Sequence, residues 1–288
     1  MKINFKQQRV SKLIRENWSK IILTILMLFL GIIMIIPFFW MISASLKTEL
    51  GVFSYPIKWI PDKMQFSNYT KIWLNEAYPF YKFYINSLFV SIITVIGMLF
   101  VSSTAAYAFA RLEFKGKNVL FLMFLATLMI PQHVTLIPRF MLFKWLGLYD
   151  TLWSLIFSGI FNVIGIFLLR QFFVGIPKEL SDAAKIDGAS HFQIYFRIIL
   201  PLAKPALLSL VILTFVWSWN DYINPLVFIT SKELYTIPLG LQAYLDMDLP
   251  KYSLVMAGAA SAILPLIIVF IIAQKYFIKG IVTSGLKE

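Results

Sequence analysis

Residues 177 to 205 read Pro-Lys-Glu-Leu-Ser-Asp-Ala-Ala-Lys-Ile-Asp-Gly-Ala-Ser-His-Phe-Gln-Ile-Tyr-Phe-Arg-Ile-Ile-Leu-Pro-Leu-Ala-Lys-Pro, a polar island in a very apolar chain. The pattern predicts two short helices with a sharp joint between them. Pro177 suits the first turn of a helix, which needs no N–H. Gly188 is placed to end that helix in a left-handed conformation. Ser190 and Gln193 form a capping-box pattern, which predicts that a second helix starts there.

The predicted joint, residues 178–199, combines small residues with negative charge. Its small residues are Ala183, Ala184, Gly188 and Ala189. The acidic residues around them are Glu179, Asp182 and Asp187. Small side chains let another backbone approach closely, and we expect a larger residue such as Asp at position 188 to break the cap and crowd the joint. These features are typical of a docking surface and include no catalytic constellation.

The run Asp182-Ala-Ala-Lys-Ile-Asp-Gly-Ala189, followed by Leu200-Pro201-Leu202, resembles the EAA loop of ABC-importer permeases. The match is to the carbohydrate-uptake branch of the binding-protein-dependent inner-membrane components, of which the maltose-type second permease is one. There the pattern is close to Glu-Ala-Ala-x-x-Asp-Gly-Ala with a later Leu-Pro. Asp182 replaces the family's Glu and keeps the acid. The alternative is an ordinary cytoplasmic loop with an amphipathic turn.

The resemblance covers the chain from about residue 21 onward and implies an all-α, polytopic permease of the type I importer fold. It assigns ATPase coupling to Glu179, Asp182, Ala183, Ala184, Asp187, Gly188, Ala189 and Pro201. The implied partners are a second, homologous permease in a heterodimer, two ATPase subunits that hold ATP and Mg, and an extracytoplasmic solute-binding protein. The implied solute is a sugar, and in this branch an oligosaccharide. The implied location is the bacterial plasma (inner) membrane. No cofactor is expected in this chain.

Composition places the chain in a membrane. Of its 288 residues 59% are hydrophobic and 14% are charged, whereas soluble domains average about 25% charged residues. The chain has no cysteine and two histidines, far apart, so neither a disulfide framework nor a metal site is expected. The Gly116-Lys117 pair lacks the rest of a phosphate-binding loop. Net charge +12 is attributed to loops beside the membrane, not to nucleic-acid binding.

Uncharged runs of about 20 residues predict membrane-crossing helices. The predicted spans are residues 21–46, 84–110, 119–143, 152–169, 205–229 and 255–274, the third being broken by Pro131 and Pro138. Residues 1–20 are read as a basic cytoplasmic segment and 21–288 as the permease domain, with coupling loop 177–205. The first apolar run is too long for the core of a signal peptide.

The distribution of Lys and Arg sets the predicted orientation. The segments on the side of the termini carry 17 of these residues and the opposite segments carry nine. Cytoplasmic loops are enriched in Lys and Arg. Both termini and the joint are therefore predicted to face the cytoplasm, where an ATPase would be.

Polar and aromatic residues late in the fifth span are candidates for the substrate pathway. They are Trp217, Trp219, Asn220, Asp221 and Asn224. An ionisable residue inside a span is a functional candidate, and aromatic faces with amide and carboxylate groups suit sugar rings. The alternative is that the tryptophans belong to an interfacial aromatic belt.

Two further stretches carry alternative interpretations. Residues 131–133, Pro-Gln-His, either line a translocation pathway or form a packing kink. The outer loop 231–251 holds Gln242, Tyr244 and Asp246, which the resemblance directs toward a binding protein; otherwise the loop is a solvated connector. A secondary transporter would need inward-facing carboxylates and inverted repeats, and a membrane enzyme would need clustered acids, histidines or a nucleophile with its base. Neither pattern is evident here.

Overall fold

The structure is a computed structural model that describes the backbone of residues 3–285 and the side chains of residues 18, 20–272 and 274. Within these limits every regular element is helical. The predicted basic segment 1–20 and the last residues, 275–288, therefore lie largely or wholly outside the described side chains.

The longer helices are α1 (Ile3–Ser45), α4 (Phe80–Arg111), α5 (Lys117–Ala126), α6 (Leu136–Trp145), α7 (Leu152–Ile160), α8 (Val163–Val174), α9 (Lys178–Ile186), α12 (Lys204–Trp219), α14 (Ile237–Leu245) and α15 (Tyr252–Gly285). The shorter ones are α2 (Glu49–Val52), α3 (Ser67–Trp73), α10 (His191–Ile194), α11 (Leu200–Leu202) and α13 (Ile223–Phe228). Thr127–Met129 and Lys232–Leu234 are 3₁₀ turns, and Tyr195–Ile199 is a π-helical turn.

Four helical stretches in the described part of the chain are long and apolar enough to cross a membrane. They are Lys20–Ser45, Phe80–Arg111, Leu152–Val174 and Tyr252–Ile272. A fifth candidate is the pair His191–Leu202 and Lys204–Trp219, which is bent by 75°. The predicted third span is not among them.

The predicted third span is interrupted, but not at both of its prolines. Helix Lys117–Met129 stops before Pro131, and α6 starts only at Leu136. Pro138 lies in the first turn of α6 and does not break it, because the first turn of a helix has no intrahelical use for the missing N–H.

The predicted fourth and fifth spans each contain a helix break, although Leu152–Val174 still forms one stretch long enough to cross a membrane. Asn162 separates α7 from α8, and its side chain accepts a hydrogen bond from the Gly165 N–H at 3.0 Å. Asp221 lies in the gap after α12 and accepts from the Asn224 N–H at 3.2 Å. Short polar side chains compete in this way with the helical ladder and start new helices.

Helix α4 forms the centre of the molecule and packs against α7, α8, α12 and α14. One feature of α4 is a set of buried small polar residues, Ser87, Ser91, Thr94, Ser102 and Ser103. Small residues let membrane helices approach closely, and Ser and Thr hydroxyls can form hydrogen bonds between helices, although those of Ser91 and Thr94 have no partner in the described structure. The Ser87 hydroxyl, for example, accepts from the Ile237 N–H at 2.8 Å.

Helix α1 is the least covered span. It packs against α15, yet none of the residues in its most apolar window is buried. At its end, Ser43, Ala44 and Ser45 are buried. The rest of this apolar surface requires lipid or another membrane helix as its neighbour.

Glu49, the first residue of α2, connects the loop after α1 to the start of α15. Its carboxylate accepts hydrogen bonds from the backbone N–H groups of Tyr252, at 2.7 Å, and Ser253, at 3.1 Å. The Ser253 hydroxyl donates to it as well, at 2.7 Å. The first turn of α15 is thus capped by a residue from the first loop, and negative charge suits this end of a helix.

Gly240 provides a test of the packing between α14 and α4. A methyl group at this position would overlap the fully buried ring of Phe83. Gly240→Ala should lower the free energy of unfolding by about 1–3 kcal/mol, as overpacked cores do. Thermal unfolding of the detergent-solubilised protein, followed by tryptophan fluorescence, measures the change.

Gly31→Ala is the matched control, since nothing lies within 4 Å of a methyl group at that position of α1. It should leave the melting temperature unchanged or raise it slightly. An unchanged melting temperature for Gly240→Ala would contradict the close packing.

Candidate functional site: an exposed helical joint and a polar cavity

The joint has the geometry that its sequence predicts. Gly188 has a φ of +82° and follows the end of α9. Its N–H donates to the Lys185 carbonyl at 3.0 Å, and the Ala189 N–H donates to the Ala184 carbonyl at 2.8 Å. These two bonds constitute a Schellman motif.

The second helix of the joint starts with a complete capping box. The Ser190 side chain accepts from the Gln193 N–H at 3.4 Å, and the Gln193 side chain accepts from the Ser190 N–H at 2.7 Å. Pro177 lies one residue before α9 and not within its first turn. The joint is therefore a tight, fully capped turn.

The predicted coupling residues lie on α9 or on the turn that follows it, except for Pro201, which lies in α11. Glu179, Asp182, Ala183, Asp187, Gly188 and Pro201 are exposed, and Ala184 and Ala189 are half-buried. Lys185 forms an ion pair with Asp182 at 3.2 Å; exposed pairs of this kind contribute little to stability. The charged side chains of the joint are thus exposed and accessible to a partner.

The surroundings of Gly188 correct one expectation. No atom of the described chain lies within 4 Å of a side-chain carbon placed there. A larger residue would not crowd the joint from within; it would strain the backbone, because few L-residues adopt this φ.

Large apolar side chains on the joint were missed in the sequence. Ile186 is 87% exposed and Phe192 is 77% exposed, and Leu180 lies exposed on the same helix pair. We refer to these three exposed side chains as the apolar patch of the joint; the exposed acids Glu179, Asp182 and Asp187 lie on α9 and the turn beside them. Exposed apolar patches of this kind mark contact sites for other proteins.

The underside of the joint is anchored to α4. The Tyr107 hydroxyl donates to the His191 carbonyl at 3.2 Å and lies 3.2 Å from His191 Nδ1. The hydroxyls of Ser103 and Tyr195 share a buried hydrogen bond of 2.6 Å. Arg111 anchors the other arm.

Arg111 ends α4 and donates to the carbonyls of Phe173, at 2.8 Å, and Ile176, at 2.6 Å. These carbonyls belong to the last turn of α8 and the link to α9. The contacts are continued by a buried cluster that includes Leu169, Ile194 and Ile199. Both arms of the joint are thus bonded to the membrane body.

A second candidate site is a cavity of about 550 Å³ between α6, α7 and α12. Trp217, predicted for the substrate pathway, lines it, and so does Gln132 from the interrupted third span. Phe157, Ser158 and Phe161 form another part of its wall. The cavity combines aromatic faces with a few polar groups, as ligand sites do.

Arg139 is the charged residue of this cavity. It donates to the Asn224 side-chain oxygen at 3.1 Å, and the Asn224 amide donates to Asp221 at 2.7 Å. The opposite charges of Arg139 and Asp221 also attract each other. Arg139 was not among the residues that the sequence predicted for the substrate pathway.

Trp219 and Asn220 do not join this group. Trp219 is buried, stacks on Phe215 and donates to the Ala262 carbonyl at 3.0 Å. The Asn220 amide is exposed and donates to the carbonyl of Val216 on its own helix. Trp219 is therefore a packing residue in this structure.

Of the residues predicted to contact a binding protein, some are accessible to a partner and one is buried. The Gln242 amide donates to the exposed Asp246 at 2.8 Å. Tyr244 is fully buried and donates to the Tyr78 carbonyl at 2.7 Å. Burial raises the pKa of the Tyr244 hydroxyl to about 12. Its side chain is unavailable to a partner in this conformation.

Residues 98–283 match the family described as binding-protein-dependent transport system inner membrane component. This segment includes the joint and the helices around the cavity. The chain belongs to this family of permeases. It is accordingly a transport subunit and not an enzyme. Across the described residues, no group of three or more metal-ligating side chains could hold a metal ion.

The permease has relatives over nearly its whole length. It is 36% identical over 270 residues to the arabinooligosaccharides transport permease AraQ of Bacillus subtilis, covering 93% of this chain and 96% of that one. It is 33% identical over 283 residues to the galactooligosaccharides transport permease GanQ of the same organism, covering 97% and 98%.

The fold of the permease also has a solved counterpart. A chain from the crystal structure of a bacterial ABC transporter involved in the import of the acidic polysaccharide alginate superposes with a TM-score of 0.81. The two chains are 24% identical, and the match covers 91% of this chain and 97% of that chain. The two proteins thus share the permease fold.

The contacts of Arg139 generate a prediction for the permease. Arg139→Met removes the donor to Asn224 and the cation that faces Asp221, so it should lower the free energy of unfolding by about 1–3 kcal/mol. Adding Asp221→Asn should restore part of that loss, because coupled residues are not additive. Thermal unfolding of the solubilised permease measures both effects.

Lys144→Met is the control, because it removes the same charge from an exposed position on the same helix. It should melt like the wild type. Purely additive losses in the Arg139 and Asp221 variants would show that the two residues do not act together.

Proposed function

We propose that this permease is one half of the membrane pathway of an ATP-driven oligosaccharide importer and that the joint is its contact with the ATPase subunits. The observation that carries the proposal is the exposed apolar patch of the joint, held by hydrogen bonds to α4 on its other side. When a partner bound to such a surface moves, the joint moves with it, and the hydrogen bonds to α4 transmit that displacement to the membrane helices.

The proposed orientation puts the joint and both termini in the cytoplasm, with six crossings. The excess of Lys and Arg on that side supports it. The third crossing would be formed by α5, α6 and the irregular segment between them. Non-helical backbone at membrane depth must be covered by protein or line a water-filled cavity, and Gln132 of this segment does line the cavity.

ATP and Mg would be held by two ATPase subunits, because the permease has no phosphate-binding loop of its own. The apolar patch would enter a groove on an ATPase, with the acidic residues at its rim. Closure of the ATPase pair would then move the joint together with α4 and α8. Such switching requires two packings of similar energy, each favoured by a different ligand.

The proposed solute is an oligosaccharide. The two relatives compared are named for arabinooligosaccharides and galactooligosaccharides. The cavity supplies the indole face of Trp217 and the polar groups of Arg139 and Gln132, with Asp221 and Asn224 behind Arg139. Sugar rings offer apolar faces and hydroxyls to such a surface.

A second, homologous permease would complete the pathway in a heterodimer, and an extracytoplasmic binding protein would deliver the solute. Exposed apolar surface on α1 is available for a membrane partner. Gln242 and Asp246 lie on the outer loop, where we place the contact with the binding protein, while Tyr244 supports that loop from inside.

Gly188 offers a direct test of the coupling proposal. Gly188→Val should strain the left-handed turn by at least 1–2 kcal/mol, enough to reduce coupled ATP hydrolysis about tenfold. Gly188→Asn is the matched control, since Asn tolerates this conformation, and it should retain most of the activity. The assay is solute-stimulated ATP hydrolysis by the co-purified complex in proteoliposomes.

Membrane insertion and the melting temperature of the membrane body should be similar in both variants, because the side chain at position 188 would point into open space. A pull-down with the N-terminally tagged permease identifies the partners by mass spectrometry. Full coupling in Gly188→Val, or a chain recovered without an ATPase under conditions that preserve a control importer, would refute the proposal.

A further inference from the structure

A pocket of about 320 Å³ lies in the loop directly after α1. Three lysines line it, Lys47, Lys58 and Lys63, and we refer to it as the lysine pocket. Its lining acid is Asp62, which is already ion-paired with Lys58. The hydroxyl residues Thr48 and Ser54 also line it. The lysine pocket therefore has a net positive charge and hydrogen-bond donors.

Lys47 is the decisive residue of the lysine pocket, because only 4% of it is exposed. Its backbone is fixed: its N–H donates to the Ala44 carbonyl, and its carbonyl accepts from the Asn68 amide at 2.8 Å. Its ammonium has no hydrogen bond, ion pair or ring contact to any residue that the structure describes. The rest of the Lys47 side chain is enclosed, so an anion in the lysine pocket would give its ammonium a partner.

The position of the lysine pocket indicates the kind of anion that it would bind. Lys47 follows the first span, Lys20–Ser45, by two residues. The same loop exposes Leu50, Phe53 and Tyr55. Trp59 lies with its ring centroid 6.0 Å from that of Phe39 in α1. Exposed apolar and aromatic side chains beside lysines are typical of the membrane interface, where phosphate headgroups lie.

We propose that Lys47, Lys58 and Lys63 form a phosphate-binding pocket that holds the headgroup of an anionic phospholipid against the end of the first span. The buried Lys47 would contact the phosphate, and the two exposed lysines would close over it. The inference requires that α1 span the membrane, and it is independent of the ATPase contact and of the transported solute.

The test measures lipid binding by native mass spectrometry of the delipidated, full-length permease complex. Phosphatidylglycerol is titrated as the probe, with a neutral glucosyl-diacylglycerol as the phosphate-free comparison. Lys47→Met keeps the length of the side chain and removes its charge. It should weaken phosphatidylglycerol binding about fivefold, the effect typical of one basic residue at an anionic surface. Glucosyl-diacylglycerol should bind weakly to both proteins.

Lys71→Met is the matched control: it removes a lysine from the same loop, on α3, outside the lysine pocket. Its lipid binding should equal that of the wild type. Lys58→Met/Lys63→Met leaves the buried residue intact, so it tests the pocket even if Lys47→Met fails to fold. The double variant should also weaken phosphatidylglycerol binding about fivefold or more.

Inorganic phosphate provides the second arm, measured by its effect on the melting temperature. Phosphate stabilisation that disappears in Lys47→Met, with unchanged lipid binding, would support the phosphate pocket and identify the free ion as its ligand. Unchanged binding of both probes in Lys47→Met and in the double variant would overturn the proposal. So would loss of a co-purified protein in Lys47→Met with lipid binding intact, because Lys47 would then pair with a protein carboxylate.

Discussion

Hydrogen bonds from the last turns of α4 to the joint determine how the two ends of this permease can communicate. Ser103 and Tyr107 hold one arm of the joint, and Arg111 holds the other. Each bond links a defined group of α4 to a defined group on the joint or the segment before it. Apolar contacts are non-directional, whereas hydrogen bonds have a preferred distance and angle. The hydroxyl and guanidinium groups therefore fix the register of the joint on α4.

The same central helix connects the joint to the outer half of the molecule. Ser87 bonds the backbone of α14, and the Asn86 amide donates to the carbonyls of Glu233 and Tyr235. Helix α4 thus holds the cytoplasmic joint at one end and the outer loop at the other, by the proposed orientation. A rotation of this helix would displace both the joint and the outer loop. An importer that couples ATP hydrolysis to solute release requires such a connection.

Local features of the sequence were predictive, and long-range ones were not. Gly188, Ser190 and Gln193 act on residues within a few positions of themselves, so the joint could be predicted in detail. Arg139 and Asn224 are 85 positions apart, and no local pattern brings them together. Trp219 and Tyr244 show why residue type alone does not predict a site. An aromatic residue with a polar tip suits a sugar site, an interface and a core equally. Their burial depends on which helices pack over them.

The cap that Glu49 places on α15 has a consequence for how the protein is made. The ribosome produces Glu49 about two hundred residues before the Tyr252 and Ser253 amides that it binds. The cap can therefore form only after α15 has been made. It joins the loop after α1 to the start of α15, and so links two elements that are synthesised far apart in time.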